Sequence, residues 1–395
     1  MAAVVQARRL PPAPTVPLDG VIAGSALALA CIGVVMVASS SLAIAESRQI
    51  GPFHFLQRHL IALLLGVGLG WLTYRLDLDA LKRHSPYLIL AAFLLLLLVF
   101  VPGLGVAVKG ARRWIHGGIF NFQVVEAVKL LLIVYLAGYF VRQQDAMQHT
   151  LVGVIKPLLV AGALAGLLLA QPDFGGGLLL IGIAGGMLWL AGGSARHLIG
   201  LGLLTLPFAL VVAVAEPYRL RRLLAFLDPW ADPERAGYQL TQALIAVGRG
   251  EWFGVGLGAS VQKLFYLPEA HTDFIVAVIA EELGFCGLIL VIGLFALLSG
   301  RAFRLGLEGL RQGRPFEAHL AYGIGLWLGL QALISIGVNL GALPTKGLTL
   351  PLISSGGSSV LASCVAIGLL LKVSATLRQP LALGAHDGVA AGRSP

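Results

Sequence analysis

The sequence predicts an all-α polytopic membrane protein with ten transmembrane helices, and three observations carry that prediction. The 395 residues are 57% hydrophobic and only 12% charged, against about 25% charged in soluble domains. Mean hydropathy is +0.88. Apolar runs recur along the whole chain, and a spanning helix needs about 20 mostly apolar residues. A sizeable soluble domain is excluded. The net charge of +9 is spread over short loops, which favours a membrane surface or anionic lipid over nucleic acid as partner. Cys31, Cys286 and Cys364 lie inside apolar runs without paired spacing, so neither a disulfide framework nor a metal site is suggested.

The ten spans read as 20–44, 59–74, 86–101, 124–141, 157–170, 175–193, 198–215, 273–300, 318–342 and 350–372. The first follows Arg8 and Arg9 and ends near Ala43-Ile44-Ala45, loosely like a cleavable signal. Its apolar run is too long for a signal core, so it is a retained span after a Pro-rich, disordered tail, residues 1–18. The second and third are short, as are the fifth and sixth. "QPDFGGG", Gln171 to Gly177, makes the tight turn between those last two. An outer segment, 216–272, separates the seventh span from the eighth. In it Arg219, Arg221 and Arg222 precede an apolar-aromatic patch suited to an interfacial helix, and "AGYQLTQALIAVG" reads as a helix or re-entrant element. Between the last two spans, "NLGALPTKGLTLPLISSGGSS" (Asn339–Ser359) cannot be continuous helix. Irregular backbone at membrane depth is tolerated only where it is buried in protein or lines a water-filled cavity. The transmembrane domain is thus 19–375, with a tail at 376–395.

An even number of spans puts both termini on one side. With that side cytoplasmic, short inner segments together with Lys372, at the end of the last span, hold 15 Lys and Arg against 6 in short outer ones. The positive-inside rule therefore places the 216–272 loop outside.

Chemistry is carried by the few charges kept among the apolar runs. Thr272 reads as an N-cap and Asp273 as the first helical position of the eighth span. The dipole there favours an ionised carboxylate, which can accept a proton or merely complement the helix. Glu281 and Glu282 lie about 12–14 Å further along the axis and must face protein or water, at least one as half of an ion pair. Glu126 and Lys129, three apart on the fourth span, form an intramembrane pair. Lys109, Arg112 and Arg113 beside Trp114 suit a diphosphate, because guanidinium offers a donor fork to phosphate oxygens; headgroup anchoring is the other reading. Asp173 in its turn, Lys263 and His271 in the outer segment, and Lys346 in the broken connection complete the candidate substrate contacts.

These stretches carry a resemblance. "LPEAHTDFIVAVIAEELGF" (Leu267–Phe285), "GALPTKGLTLPLISSGGSS" (Gly341–Ser359), "QPDFG" and "GARRWI" together resemble the SEDS family of shape, elongation, division and sporulation proteins, and its cell-division branch in particular. The resemblance covers roughly residues 20–375. It implies a ten-helix fold and a glycosyltransferase that polymerises lipid II into peptidoglycan outside the bacterial inner membrane, at the septum. It implies that Asp273 is the catalytic carboxylate, and it matches Glu126, Lys129, Arg112, Arg113, Trp114, Asp173 and Lys346 to family motifs. Val124-Val125 and Ser355 depart from those motifs, where many members have Pro-Ser and tyrosine.

The implied partners are a class B penicillin-binding protein, FtsI, and the division proteins FtsQ, FtsB, FtsL and FtsN. The implied substrates are lipid II and the undecaprenyl-diphosphate-linked glycan. No cofactor is evident, though a divalent cation such as magnesium or manganese would suit diphosphate chemistry. A lipid II transporter and a non-catalytic scaffold are the alternative functions. The position of Asp273 at the outer mouth and the lack of an inverted repeat argue against transport.

Overall fold

The computed structural model describes residues 18–108, 111–116, 121–214 and 217–379. Helix α1 (Gly20–Ser47) is capped by Asp19, whose carboxylate accepts from the N–H groups of Val21 and Ile22. Helices α2 (His54–Tyr74) and α3 (Leu78–Leu98) follow, the second capped by Asp77. Three short antiparallel strands come next, β1 (Gly105–Val108), β2 (Ala111–His116) and β3 (Asn121–Gln123). Helix α4 (Val124–Arg142) leads through α5 (Gln144–His149) to α6 (Leu151–Ala170), and Asp173 caps α7 (Phe174–Leu190). Then come α8 (Ala195–Val214), α9 (Pro217–Leu227) and α10 (Tyr238–Gly250). The chain closes with α11 (Ile275–Arg311), α12 (Pro315–Asn339) and α13 (Gly357–Leu377).

A helix occupies each of the ten predicted spans. Among the described residues, eight helices are long and apolar enough to cross a membrane, and α7, at 17 residues, is shorter. Helix α2 begins at His54 and α3 at Leu78, earlier than predicted, because polar outer and inner turns prolong helices beyond their apolar cores. Helix α13 runs to Leu377, past the predicted tail boundary. The predicted tails lie almost wholly outside the described residues. Among the described residues the small sheet is the one departure from an all-α reading, and β2 carries the Ala111–Ile115 part of "GARRWI".

Helix α4 is the centre of the bundle: 78% of its apolar stretch is buried, against 22% for α2 and α3. It packs on α3 and α12, while α12 also packs on α7 and α11, and α13 on α2. At the start of α1 Asp19 gathers three elements, accepting from Arg301 of α11 at 2.9 Å, Ser374 of α13 at 3.0 Å and Arg378 at 3.1 Å. Burial alone would raise the Asp19 carboxyl. The hydrogen bonds from Arg301, the Ile22 N–H and Ser374 outweigh it and hold the group below the usual carboxylate range.

The eighth predicted span is not one continuous helix. Gly284 has φ 66° and ψ −165°, a conformation that an L side chain rarely adopts. The segment after α10 enters this break. Val255 and Gly256 donate to the carbonyls of Glu281 and Glu282, while Phe285 and Cys286 donate to those of Glu251 and Trp252. Backbone groups orphaned by the break are thereby satisfied, as burial demands.

Candidate active site

Asp273 lies in a turn two residues before α11, rather than within the helix as predicted; the cap position is Phe274. Its turn is fastened by main chain. The carbonyls of His271, Thr272 and Asp273 accept in succession from the Ser355 N–H at 2.9 Å, the Ser354 hydroxyl at 2.7 Å and the Asn339 amide at 3.1 Å. Three consecutive anchors leave the turn little freedom, which is what a positioned reactive group requires. The carboxylate itself faces the broken connection between α12 and α13. A Cβ added to Gly347 would stand 2.9 Å from Asp273 Oδ2.

Gly347 leads to the second half of the site. With Leu348 and Thr349 it lines a narrow cavity shared with Gln123, Glu126, Lys129 and Asp173. Lys129 pairs with Glu126 at 2.8 Å, and both are buried. Asp173 caps α7, accepting from the Gly176 N–H at 3.1 Å. Arg113 of β2 approaches Asp173 at 3.9 Å and also donates to the carbonyls of Gln171 and Pro172. Lys346 places its ammonium 3.8 Å from the ring centroid of Phe174, the first residue of α7. Two cations therefore flank one helix N-terminus, itself an anion-attracting feature. The cavity admits about one water (about 10 Å³) and is too small for a sugar as it stands.

The structure separates residues that the sequence grouped. Adjacent strand residues point to opposite faces, so Arg112 does not join Arg113; it is exposed, while Arg113 turns to Asp173. Trp114 is partly buried opposite Val106 and Gln123. Lys109 lies outside the described residues. His271 is buried with its ring 4.9 Å from that of Phe55 in α2.

Lys263, expected among the substrate contacts, instead donates to Glu282 at 2.6 Å and to Ser39 of α1 at 2.8 Å. Its charge is thus spent inside the bundle. Ser39 also donates to both Glu282 oxygens. Glu281 is paired as well, with Arg249 at 3.3 Å, and accepts from Ser260 and from the N–H groups of Val261 and Gln262. Both glutamates, not just one, are fully engaged, and together they pin the 249–263 segment to the broken helix.

A larger depression of about 470 Å³ sits beside that break, lined by Glu251, Trp252 and Phe285. Its lining, among the described residues, includes no cation. Among the described residues no group of three His, Cys, Asp or Glu gathers to hold a metal ion. The donors at the cavity are Glu126, already paired with Lys129, and Asp173, already a helix cap.

Several positioning groups were not singled out in the sequence. Gln331 and Asn339 are fully buried amides on α12, and an amide inside an apolar span is a legible signal of a polar task. Ser354 was hidden in a Ser-Gly-rich run, where a turn role is the default.

Fold and site together define a polytopic membrane protein in which an anchored turn bearing Asp273 lies beside a cavity lined by one buried lysine, Lys129, and the carboxylates of Glu126 and Asp173. The chain belongs to the FtsW, RodA and SpoVE family of cell cycle proteins, whose family model matches residues 21–379. A relative from Xanthomonas oryzae pv. oryzae, named "Probable peptidoglycan glycosyltransferase FtsW", is 55% identical over 89% of this chain and 71% of its own length. One from Alkalilimnicola ehrlichii with the same name is 51% identical over 90% of this chain and 89% of its own. Among solved structures, the Thermus thermophilus rod shape determining protein RodA superposes with a TM-score of 0.66, at 30% identity over 93% of this chain and 99% of that one. A structure described as "Structural coordination of polymerization and crosslinking by a peptidoglycan synthase complex" superposes with a TM-score of 0.73, at 31% identity over 92% of this chain and all of that one.

Proposed function

We propose that this chain is the peptidoglycan glycosyltransferase of septal wall synthesis, polymerising lipid II on the outer face of the inner membrane with Asp273 as general base. FtsW relatives at about half identity over most of the chain support the activity. One observation carries the residue assignment: the Asp273 carboxylate meets Gly347, and Gly347 lines the same cavity as Lys129, Glu126 and Asp173.

The chemistry asks for little more. An undecaprenyl diphosphate is a good leaving group, so a general acid is dispensable, whereas the departing charge needs cations. The attacking sugar hydroxyl has a high pKa and needs a base. Asp273 takes the proton from the lipid II acceptor hydroxyl, whose oxygen attacks the anomeric carbon of the growing strand. The bond to diphosphate breaks and the configuration inverts. Arg113 and Lys346 at the α7 N-terminus, with Lys129 deeper, receive the diphosphate charge. Arg112, exposed on the other face of β2, contributes at most to approach.

A divalent cation, if recruited, would have to be held partly by substrate oxygens, since the two acids that line the cavity, Glu126 and Asp173, are already engaged. The transpeptidase FtsI and the FtsQ, FtsB, FtsL and FtsN proteins are the proposed partners.

The test is polymerisation of labelled lipid II by purified protein, with and without the partner transpeptidase, read on a gel. Wild type makes polymer and Asp273→Ala makes none. Polymer from both overturns the base assignment. Polymer from neither, together with flipping of lipid II in vesicles, overturns the transferase reading in favour of transport.

A further inference from the structure

We infer that two buried amides of α12, Gln331 and Asn339, are positioning residues that hold the cation half and the carboxylate half of the site in register. The inference rests on the reading of Asp273 as base and Lys129 as diphosphate cation. Neither amide needs to touch the substrate; each acts through one of those groups.

Gln331 is fully buried. Its Oε1 accepts from Lys129 Nζ at 2.6 Å and from Trp327 Nε1 at 2.7 Å, and its Nε2 donates to the Thr349 carbonyl at 2.8 Å. Both lone pairs of the oxygen are used. Flipping the amide would set its NH₂ against an ammonium and an indole N–H, so the orientation is fixed by its neighbours.

Asn339 is equally buried. Its Nδ2 donates to the Asp273 carbonyl at 3.1 Å and the Ser335 carbonyl at 2.8 Å, and its Oδ1 accepts from the Ala277 N–H at 3.0 Å. That N–H lies in the first turn of α11, where it also donates to the Phe274 carbonyl at 3.1 Å, so the amide supplements a turn bond at the helix start. Asn339 thus braces the start of a neighbouring helix from outside while holding the residue that bears the base.

The two arms close into a ring. Gln331 holds Thr349; two residues away, Gly347 abuts the Asp273 carboxylate; Asp273 is held by Asn339; and Asn339 returns to Gln331 along about 12 Å of one helix. Helix α12 therefore acts as a ruler between Lys129 and Asp273. A purely structural amide would only satisfy its own hydrogen-bonding groups. These two connect, residue by residue, to different catalytic functions, and the kinetics should separate them.

The experiment is steady-state polymerisation of lipid II by full-length Gln331→Met and Asn339→Leu, with folding checked by thermal melting in detergent. Gln331→Met frees Lys129 from one acceptor and is expected to raise the apparent KM about tenfold, with turnover within about threefold. Asn339→Leu loosens the Asp273 turn and is expected to lower turnover about tenfold or more, with KM within about threefold.

Where either fails to fold, the polar substitutions replace it. Gln331→Glu keeps the acceptor for Lys129 and should return KM to within about threefold of wild type. Asn339→Asp keeps the acceptor for Ala277 but loses the donor to Asp273, and should still lower turnover about tenfold.

Equal changes in KM and turnover in both variants would overturn the inference, as would losses that merely track melting temperature. Asp273→Asn is run alongside. An inactive Asp273→Asn beside wild-type kinetics in both amide variants overturns the positioning role alone. A fully active Asp273→Asn overturns the base assignment, and with it the carboxylate arm of the ruler.

Discussion

Two acidic regions of α11 and its leading turn, eight to nine residues apart in sequence, are fastened by different groups. At the break, Glu281 and Glu282 spend their carboxylates on Arg249, Lys263, Ser260, Ser39 and two backbone N–H groups. In the turn, it is the main chain that is fastened, through the carbonyls of residues 271–273, and the Asp273 carboxylate is directed at a glycine beside the cavity. An acid held by its side chain stabilises a fold. An acid whose backbone is held can instead be presented to a substrate. The proposed base is the acid whose main chain is anchored beside the cavity, and the two glutamates are the acids that secure the break.

The sharpest way to break this comparison is to neutralise one acid of each kind. Asp273→Asn removes the base while leaving the anchored turn, so polymerisation should fall about 10²–10⁴-fold with melting temperature nearly unchanged. Glu282→Leu strands the Lys263 ammonium in the bundle. Breaking a buried pair costs about 3–5 kcal/mol, so thermal melting in detergent should drop sharply. Surviving folded protein should keep most of its rate per molecule. If the two variants exchanged these phenotypes, the distinction would be lost.

A gentler probe acts between the two halves of the site. Gly347→Ala adds a methyl 2.9 Å from Asp273 Oδ2 and must displace one or the other. Turnover should fall about 10–100-fold, since a shift of about 1 Å can cost that much. A turnover equal to wild type would mean that the carboxylate and the 347–349 strap need not stay in contact during the reaction.

The smallest effect is expected at the start of α1, where Asp19 is held by its side chain as the glutamates are. Its carboxyl is depressed in the folded state, so its contribution is present above the unfolded pKa and is lost as pH falls through the folded one. Asp19→Asn should cost about 1–2 kcal/mol at neutral pH, combining an altered cap with lost pairing to Arg301 and Arg378. Below pH ~4 the difference from wild type should shrink. Melting curves at two pH values check this, and polymerisation rate should scarcely move.

Much of the fold was legible because span length is set by the bilayer and by little else. Glu126–Lys129 was legible too, since its spacing alone puts both on one helix face. Other features depend on partners remote in sequence. Nothing near Lys263 points to Ser39 or separates it from a substrate cation. The break at Gly284 requires a second segment, 251–256, to satisfy it, and a glycine within an apolar helix gives no warning of that. Arg112 and Arg113 are adjacent in sequence but part onto opposite faces because a strand of six residues forms there.

The position of the bound acceptor sugar is the most direct test of Asp273 as the base. A structure of this protein with a lipid-linked saccharide bound should place the acceptor hydroxyl within about 2.6–3.2 Å of an Asp273 carboxylate oxygen, directly or through one water. The diphosphate should lie between Lys129 and the cations at the α7 N-terminus. A saccharide bound elsewhere, with Asp273 out of reach of any sugar hydroxyl, would contradict it.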